Sequence, residues 1–268
     1  MRDSFEIEMN ACQAEQPSLV YVLGVRVDRV TQQQVLDRVD SLIDGYRASQ
    51  RQTSCQQLIT VNPEFVMAAQ HDPVFRQCIN ESALVMPDGM GVVWAARYLG
   101  KPTPERVTGV DTLIELARRA AIKEYRFYLL GAAPGVAEAA GQRLQALAPG
   151  LQIAGTYAGS PAPAEEDEII ERVRVAQADV LCVAYGAPAQ DVWIKRNLAR
   201  LPVAVAMGVG GSLDFFTGRQ QRAPRIMQKL GLEWLFRLYR EPWRWRRMLA
   251  LPKFAIQVIM KGRKFCGV

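Results

Sequence analysis

The alternation of strand and helix is plainest at Ala83-Leu84-Val85-Met86-Pro87-Asp88-Gly89, where an apolar run ends at a turn and leads into the helical stretch Met90 to Leu99. The same arrangement occurs upstream, where Leu58-Ile59-Thr60-Val61 has a strand pattern and Asn62-Pro63 begins a helix. Short apolar runs bounded by turn residues are typical of strands that are buried on both faces. These two units therefore predict a parallel sheet in which helices follow the strands.

Four more strands are predicted downstream, at Arg126–Leu130, Leu151–Tyr157, Val180–Tyr185 and Val203–Met207. Helical patterns lie near Glu165 to Ala176 and Pro188 to Ala199, and another helix begins at Pro134. We therefore predict an α/β fold with a mostly parallel, Rossmann-like sheet flanked by helices. Ligands of such sheets bind beyond the carboxyl ends of the strands. Three strand ends fit this position: Thr60-Val61-Asn62, Met86-Pro87-Asp88-Gly89 and Met207-Gly208-Val209-Gly210-Gly211.

Charge is distributed unevenly along the 268 residues, whose formal net charge is +6. Residues 219–268 hold thirteen Lys and Arg against two Glu, together with three of the five tryptophans, whereas residues 1–218 have an excess of acids. Pro224, Pro242 and Pro252 divide this basic segment into short predicted helices. A segment of this kind favours phosphates, which points to a membrane surface, a nucleic acid or a diphosphate substrate.

The chain is predicted to have three parts. Residues 1–18 form an acidic, disordered extension that lacks the apolar centre of a secretory signal. Residues 19–218 form the α/β core, and residues 219–268 form a basic, aromatic-rich helical appendage next to a membrane. Within the appendage, Met248 to Met260 is too short and too polar to cross a bilayer, but it suits the bilayer surface.

The residue inventory excludes several kinds of site. With one histidine, His71, the chain has no zinc site built on several histidines and no Ser-His-Asp triad away from that residue. His71 lies in Gln70-His71-Asp72-Pro73, a pattern typical of a break between two short helices. The five cysteines are widely spaced and odd in number, which favours reduced thiols in the cytoplasm. No Asp-x-Asp sequence occurs, and no metal site is predicted.

Asp88 is the strongest candidate for a catalytic base. The Pro-Asp-Gly turn after an apolar strand places its carboxylate at the ligand-binding edge, and Gly89 and Gly91 are expected to leave room for a substrate. A general base needs a fixed, partly desolvated carboxylate within reach of a hydroxyl group. The alternative is that Asp88 caps the helix that begins near Met90.

The remaining candidates in the core have two interpretations each. Residues Gly208, Gly210 and Gly211 suit either backbone amides that approach a phosphate or a simple tight turn. Arg106 is either an anion ligand or half of a surface salt bridge. Gln190, like the Asp191 that follows it, is either a helix cap or a ligand contact.

In the appendage, arginines recur at intervals of three, four and three residues. This spacing predicts one helical face, provided that Pro242 only kinks the helix. Because few acids are mixed in, the face favours phosphate or membrane binding over simple solvation. Its members are Arg237, Arg240, Arg244 and Arg247.

From about Gly24 to Arg247, the ordered motifs resemble the bacterial WecG/TagA/CpsF glycosyltransferases. The resemblance rests on residues 60–65, 87–92, 106–111, 127–131, 186–191 and 208–215, and on Arg222-Ala223-Pro224, residues 233–237 and 241–244. It implies an inverting enzyme that needs neither a metal nor a cofactor. It also implies that the protein forms oligomers. The donor implied is a UDP-sugar of N-acetylmannosamine, its uronate or glucose, and the acceptor is a polyprenyl-diphosphate-linked sugar.

The resemblance also assigns roles to individual residues. Asp88 matches the family's proposed catalytic base, and Thr60 and Asn62 match residues that line the same pocket. Arg106 and Gln190 match contacts to the sugar or nucleotide. Three arginines of the appendage match residues thought to close over the diphosphate at the membrane: Arg237, Arg244 and Arg247.

The reaction expected is a direct displacement in which Asp88 takes the proton of the acceptor hydroxyl and arginine stabilises the departing UDP in place of a metal. The enzyme is expected in the cytoplasm, bound peripherally to the anionic inner face of the plasma membrane. Two rival functions are disfavoured. A nucleotide-dependent oxidoreductase would carry a dinucleotide fingerprint after the first strand, and a nucleic-acid-binding protein would leave Asp88 and the glycine loop without a role.

Overall fold

The computed structural model describes residues 18–218, 223–229 and 231–261, so the acidic extension lies almost wholly outside the described residues. Its strands are β1 Leu19–Val22, β2 Val25–Asp28, β3 Gln56–Val61, β4 Leu84–Pro87, β5 Arg126–Gly131, β6 Gln152–Tyr157, β7 Val180–Ala184 and β8 Val205–Gly208. Six of them form one sheet in the order β4-β3-β8-β7-β5-β6, and every neighbouring pair is parallel. The fold class predicted from the sequence is confirmed.

The helices of the core are α1 Gln32–Ala48, α2 Pro63–Ala69, α3 Pro73–Asn80, α4 Met90–Tyr98, α5 Gly109–Lys123, α6 Val136–Leu147, α7 Glu166–Ala176, α8 Ala189–Asn197 and α9 Ser212–Phe216. Those of the appendage are α10 Arg225–Lys229, α11 Glu233–Arg240, α12 Trp245–Met248 and α13 Ala250–Lys261. Single 3-10 turns lie at Pro163–Glu165 and Pro242–Arg244. All six predicted strands are present within two residues of their expected ends, and His71 lies between two short helices as predicted.

Helices cover both faces of the sheet, which explains why strands β4, β7 and β8 are buried along their whole length. Leu58 packs in a core cluster with α1, α5 and α6. Its neighbour Ile59 points the other way, into a cluster with α2, α3 and α4. The end of the sheet away from β4 is covered by a third cluster, which includes α7 and α8. Three cysteines are buried and free within the described residues: Cys55, Cys78 and Cys182.

The structure contains elements that the sequence analysis does not predict, namely the hairpin of β1 and β2 and the helices α1 and α5. The hairpin closes the exposed edge of the sheet, because the Asp28 carboxylate accepts a hydrogen bond of 2.9 Å from the Val85 amide of edge strand β4. An unpaired edge strand is prone to join with other chains, so a side chain that occupies its amide protects it.

The appendage differs from the prediction of one arginine-bearing helical face. Glu241 leaves the helical region with φ −130° and ψ 72°, as expected for a residue before proline, so Arg237 and Arg247 lie on separate helices. The expected break at Pro252 is also wrong. Pro252 lies in the first turn of α13, where its missing N–H removes no helical hydrogen bond.

The last helix, α13, is anchored in the core. Phe254 and Val258 are buried in the same cluster as Ile59, and the helix packs against α2 and α4. Its other side leaves Ile256, Ile259 and Met260 exposed. Among the described helices, none combines the length and the apolar character needed to cross a membrane.

Candidate active site

A cavity of about 360 Å³ opens at the carboxyl edge of the sheet. The core contributes one wall from the ends of β3, β4, β7 and β8 and from the start of α5, and the appendage contributes Glu233 and Arg247 opposite. This position beyond the strand ends is where parallel sheets bind ligands. Six of the core residues predicted from the sequence line it together: Thr60, Asp88, Gln190, Gly208, Gly210 and Gly211.

Asp88 is held at the junction of three elements. Its backbone N–H donates to the Val61 carbonyl at 3.0 Å, which ties the turn after β4 to the end of β3. Its Oδ2 accepts from the Gly109 amide at 3.4 Å, at the first residue of α5. The positive end of a helix favours a negative charge, so this location stabilises a carboxylate. The capping alternative is wrong, because α4 has Gly89 at its N-cap and no side-chain cap bond.

The two glycines after Asp88 do not open space for a substrate, contrary to the expectation from the sequence. A Cβ on Gly89 would lie 2.7 Å from Pro63 Cδ, and one on Gly91 would lie 2.6 Å from Pro63 Cγ. Real Cβ atoms do not approach that closely, so both glycines are required for α4 to pack against the start of α2. Their role is to seat the turn that carries Asp88.

Thr60 and Asn62 have different positions. Thr60 lines the cavity near Asp88, and a Cβ on Gly109 would lie 3.4 Å from Thr60 Cγ2 and 3.9 Å from Asp88 Oδ2. Asn62 is the N-cap of α2, and its Oδ1 accepts from the Phe65 amide at 3.1 Å. Asn62 is not among the residues that line the cavity, whereas Phe65, whose amide it binds, is.

The glycine loop is shaped mainly by bonds within the protein. The Gly210 amide donates to Gln190 Oε1 at 2.9 Å, and the Val209 amide donates to the Val183 carbonyl at 2.8 Å. These amides are therefore occupied, and the loop is closer to the tight turn than to a phosphate cradle. Gln190 is not a helix cap either, because α8 begins after Pro188 without a side-chain cap bond.

A buried carboxyl group, that of Asp191, lies next to Gly208 at the start of the glycine loop. Asp191 is buried, and its Oδ2 has no hydrogen-bond partner within the described residues. Burial away from water raises the pKa of Asp191 to about 7, although a hydrogen bond from Gln190 opposes this shift.

Two salt bridges join the core to the appendage at the cavity. In one the core supplies the arginine, and in the other the appendage does. Arg106 of the core binds Glu233 at 2.8 Å, so the salt-bridge interpretation of Arg106 is the one observed. Arg247 of the appendage binds Glu64 of the core at 2.7 Å. Arg237 lies in α11 and Arg244 in the 3-10 turn, but their side chains fall outside the described residues.

The cavity lining carries more acid than base. Among the described residues its charged side chains are Asp88, Asp214 and Glu233 against Arg247. Asp214 and Glu233 lie in the motifs that carry the resemblance, but the sequence patterns do not predict a role for either residue. A diphosphate would have to meet a cationic group on the appendage side, where Arg247 is located.

Residues 20–265 match the model of the glycosyl transferase WecG/TagA/CpsF family. The chain belongs to this family. Three relatives carry the name N-acetylglucosaminyldiphosphoundecaprenol N-acetyl-beta-D-mannosaminyltransferase. The relative from Bacillus spizizenii is 34% identical over 85% of this chain and 90% of its own length.

The relative from Bacillus subtilis is 36% identical over 76% of this chain and 79% of its own length. The relative from Staphylococcus aureus is 30% identical over 91% of this chain and 94% of its own length. The family resemblance inferred from the motifs is therefore confirmed, and it covers both the core and the appendage of this WecG/TagA/CpsF family member.

Proposed function

We propose that this glycosyltransferase transfers N-acetylmannosamine from a UDP-linked donor to an N-acetylglucosaminyl-diphospho-undecaprenol acceptor. The acceptor and the sugar are those in the names of the three relatives. The observation that carries the proposal is the position of Asp88, a carboxylate fixed at the sheet edge and lining the cavity there. A carboxylate held in this way can accept a proton from a sugar hydroxyl.

The proposed chemistry is a single displacement. The acceptor hydroxyl oxygen attacks the anomeric carbon while Asp88 removes its proton, and the bond from that carbon to the diphosphate oxygen breaks. UDP leaves with the bonding electrons from the opposite face, so the configuration at the anomeric carbon inverts. The relatives' names specify a β-linked product, which an α-linked donor gives by one inversion. Thr60 and Gln190 are proposed to contact the sugar or nucleotide. Asn62 is proposed to act indirectly, by capping the helix whose Phe65 lines the cavity.

Departure of UDP builds negative charge that needs a stabilising cation. Arg247 lines the cavity, and its planar guanidinium suits phosphate oxygens. Arg106 does not line the cavity but is bound to Glu233, which does, and it is proposed to reach the diphosphate by exchanging that partner. Arg237 and Arg244 are proposed to act beside them. These arginines would make a metal unnecessary.

The acceptor is a lipid, so the cavity is proposed to face an anionic membrane on its cytoplasmic side. The appendage exposes large aromatic side chains beside its arginines, with Tyr239 81% and Trp243 72% exposed. Aromatic rings and basic side chains together favour the interface of a bilayer. The oligomer implied by the family remains a prediction.

The decisive experiment is a donor panel. The purified protein is incubated with a synthetic short-chain N-acetylglucosaminyl-diphospho-lipid and the UDP-linked forms of N-acetylmannosamine, its uronate and glucose. We expect transfer from the first donor, release of UDP, a β-linkage by NMR, and unchanged rates in EDTA. Transfer from only another donor would replace the sugar, an α-linked product would exclude inversion, and loss of activity in EDTA restored by Mn²⁺ would exclude the arginine mechanism.

A further inference from the structure

The proposed reaction leaves Asp191 without a role, although its setting is unusual. The residue is 1% exposed, does not line the cavity, and has one carboxylate oxygen without a hydrogen-bond partner in the described structure. Its backbone carbonyl accepts from Gln57 Nε2 at 2.9 Å and from Cys78 Sγ at 3.2 Å. The backbone is therefore fixed, and the side chain has no route to water. Leaving a buried carboxylate partly unsatisfied is costly, which calls for an explanation.

The Asp191 carboxylate lies beside the amide nitrogen of Gln190 at the carboxyl edge of the sheet. A Cβ added to Gly208 would lie 2.4 Å from Gln190 Nε2 and 2.5 Å from Asp191 Oδ1, so a donor and an acceptor are neighbours there. The two side chains therefore pack side by side against β8 where it passes into the glycine loop.

This arrangement settles which way the Gln190 amide points. An amide has one acceptor oxygen and one donor nitrogen, so the group that takes its N–H fixes the position of its oxygen. With Nε2 directed to Asp191, Oε1 is left to accept from the Gly210 amide at 2.9 Å. A flipped amide would set Nε2 against the Gly210 N–H, two donors facing each other.

We propose that Asp191 is a positioning residue that orients the Gln190 amide and thereby holds the glycine loop in the tight turn that lines the cavity, where the nucleotide of the donor would bind. This proposal rests on the proposed function, because the nucleotide belongs to it. Asp191 acts through Gln190 and Gly210 and touches no reacting atom.

The test compares UDP affinity with stability in the full-length protein. Leucine has nearly the shape of aspartate but no acceptor, so Asp191→Leu removes the bond to Gln190 and also removes a buried, partly unpaired carboxylate. We expect UDP binding, measured by calorimetry, to weaken about tenfold while thermal stability is unchanged or higher. Asp191→Asn keeps an acceptor oxygen and is expected to bind UDP within about threefold of the wild type. A purely structural role would instead lower stability together with affinity.

A double-mutant cycle sharpens the test. Gln190→Ala should weaken UDP binding, and adding Asp191→Leu to it should cause no further loss, because both changes break one chain of contacts. If the losses of UDP affinity in the two single variants multiply in the double variant, the proposal is overturned. Wild-type UDP affinity in Asp191→Leu would also overturn it. Hydrogen exchange of the Gly210 amide in nucleotide-free protein is expected to accelerate in Asp191→Leu. If the wild-type protein fails to bind UDP, the proposed function fails, whereas unchanged Gly210 exchange would refute the role of Asp191 itself.

Discussion

The two walls of the cavity are built by different means. On the core side, Asp88 and Gln190 are tied to backbone amides of neighbouring elements, and glycines allow those elements to pack closely. On the appendage side, Glu233 and Arg247 are held by salt bridges to the core and are flanked by exposed aromatic rings. Partly exposed ion pairs are weak and exchange partners readily, whereas buried hydrogen-bonded groups keep their geometry. The core wall therefore holds its side chains in fixed positions, whereas the appendage wall carries charge that can exchange partners.

The largest effect is expected in the core wall. Asp88→Asn keeps the shape of the side chain but removes its basicity, so turnover should fall by about 10²–10⁴-fold while UDP affinity changes little. Asp214→Asn is the matched control, because Asp214 is a second carboxylate in the same cavity. Initial rates and UDP titrations on both variants would show the difference. Equal losses in the two variants would mean that the cavity needs negative charge in general and no particular base.

The next largest effect tests where the appendage is joined to the core. Phe254 on α13 is 2% exposed and packs in the core cluster with Ile59. Phe254→Ala should lower the free energy of unfolding by about 3–5 kcal/mol, the usual cost of emptying such a site. Ile256→Ala, on the exposed side of the same helix at 56% exposure, should change it by less than about 0.5 kcal/mol. Urea unfolding would measure both, and similar values would show that α13 is not anchored as described.

The sequence predicted strands and helix starts well, because those signals are local. It did not predict the first hairpin, whose turn places Leu23 at φ 52°, a conformation that a leucine side chain disfavours and that weakens the turn signal. It also misjudged Gly89, because a glycine near a strand end is equally compatible with an open approach and with close packing on Pro63.

At the cavity, the sequence predicted several of the lining residues but not their connections. Gln190 and Gly210 lie twenty residues apart, and nothing local shows that their hydrogen bond shapes the loop. The salt bridge from Arg106 to Glu233 spans a still longer separation, so the sequence left both interpretations of Arg106 open. Contacts of this kind depend on the order of strands in the sheet, which the local patterns do not specify.

A smaller effect concerns the pH dependence of the core wall. Burial raises the pKa of Asp191 to about 7 from 3.8, so the folded protein retains a proton that the unfolded chain has released. The contribution of this retained proton to the free energy of unfolding is complete below about pH 4 and is lost as the pH rises towards 7. Asp191→Asn cannot titrate there. Relative to this variant, the wild-type free energy of unfolding should fall by about 2 kcal/mol between pH 5.5 and 7.5. Parallel curves for the two proteins in urea unfolding would contradict the shift.

The smallest effect is expected in the appendage wall, and it separates catalysis from membrane binding. Arg247 lines the cavity and binds Glu64, whereas its neighbour Arg246 lies over the Trp245 ring, with 5.5 Å from the guanidinium carbon to the ring centre. Arg247→Ala should lower transfer to a soluble short-chain acceptor by about tenfold, because a charge-assisted bond to the diphosphate is lost. Arg246→Ala should leave that reaction unchanged.

On anionic liposomes, both variants should lose membrane affinity by a similar amount, since each basic residue near such a surface contributes about 1 kcal/mol. If Arg247→Ala is fully active on the soluble acceptor and fails only on liposomes, Arg247 is a membrane contact, and the stabilisation of departing UDP must come from Arg106 or from the other arginines of the appendage.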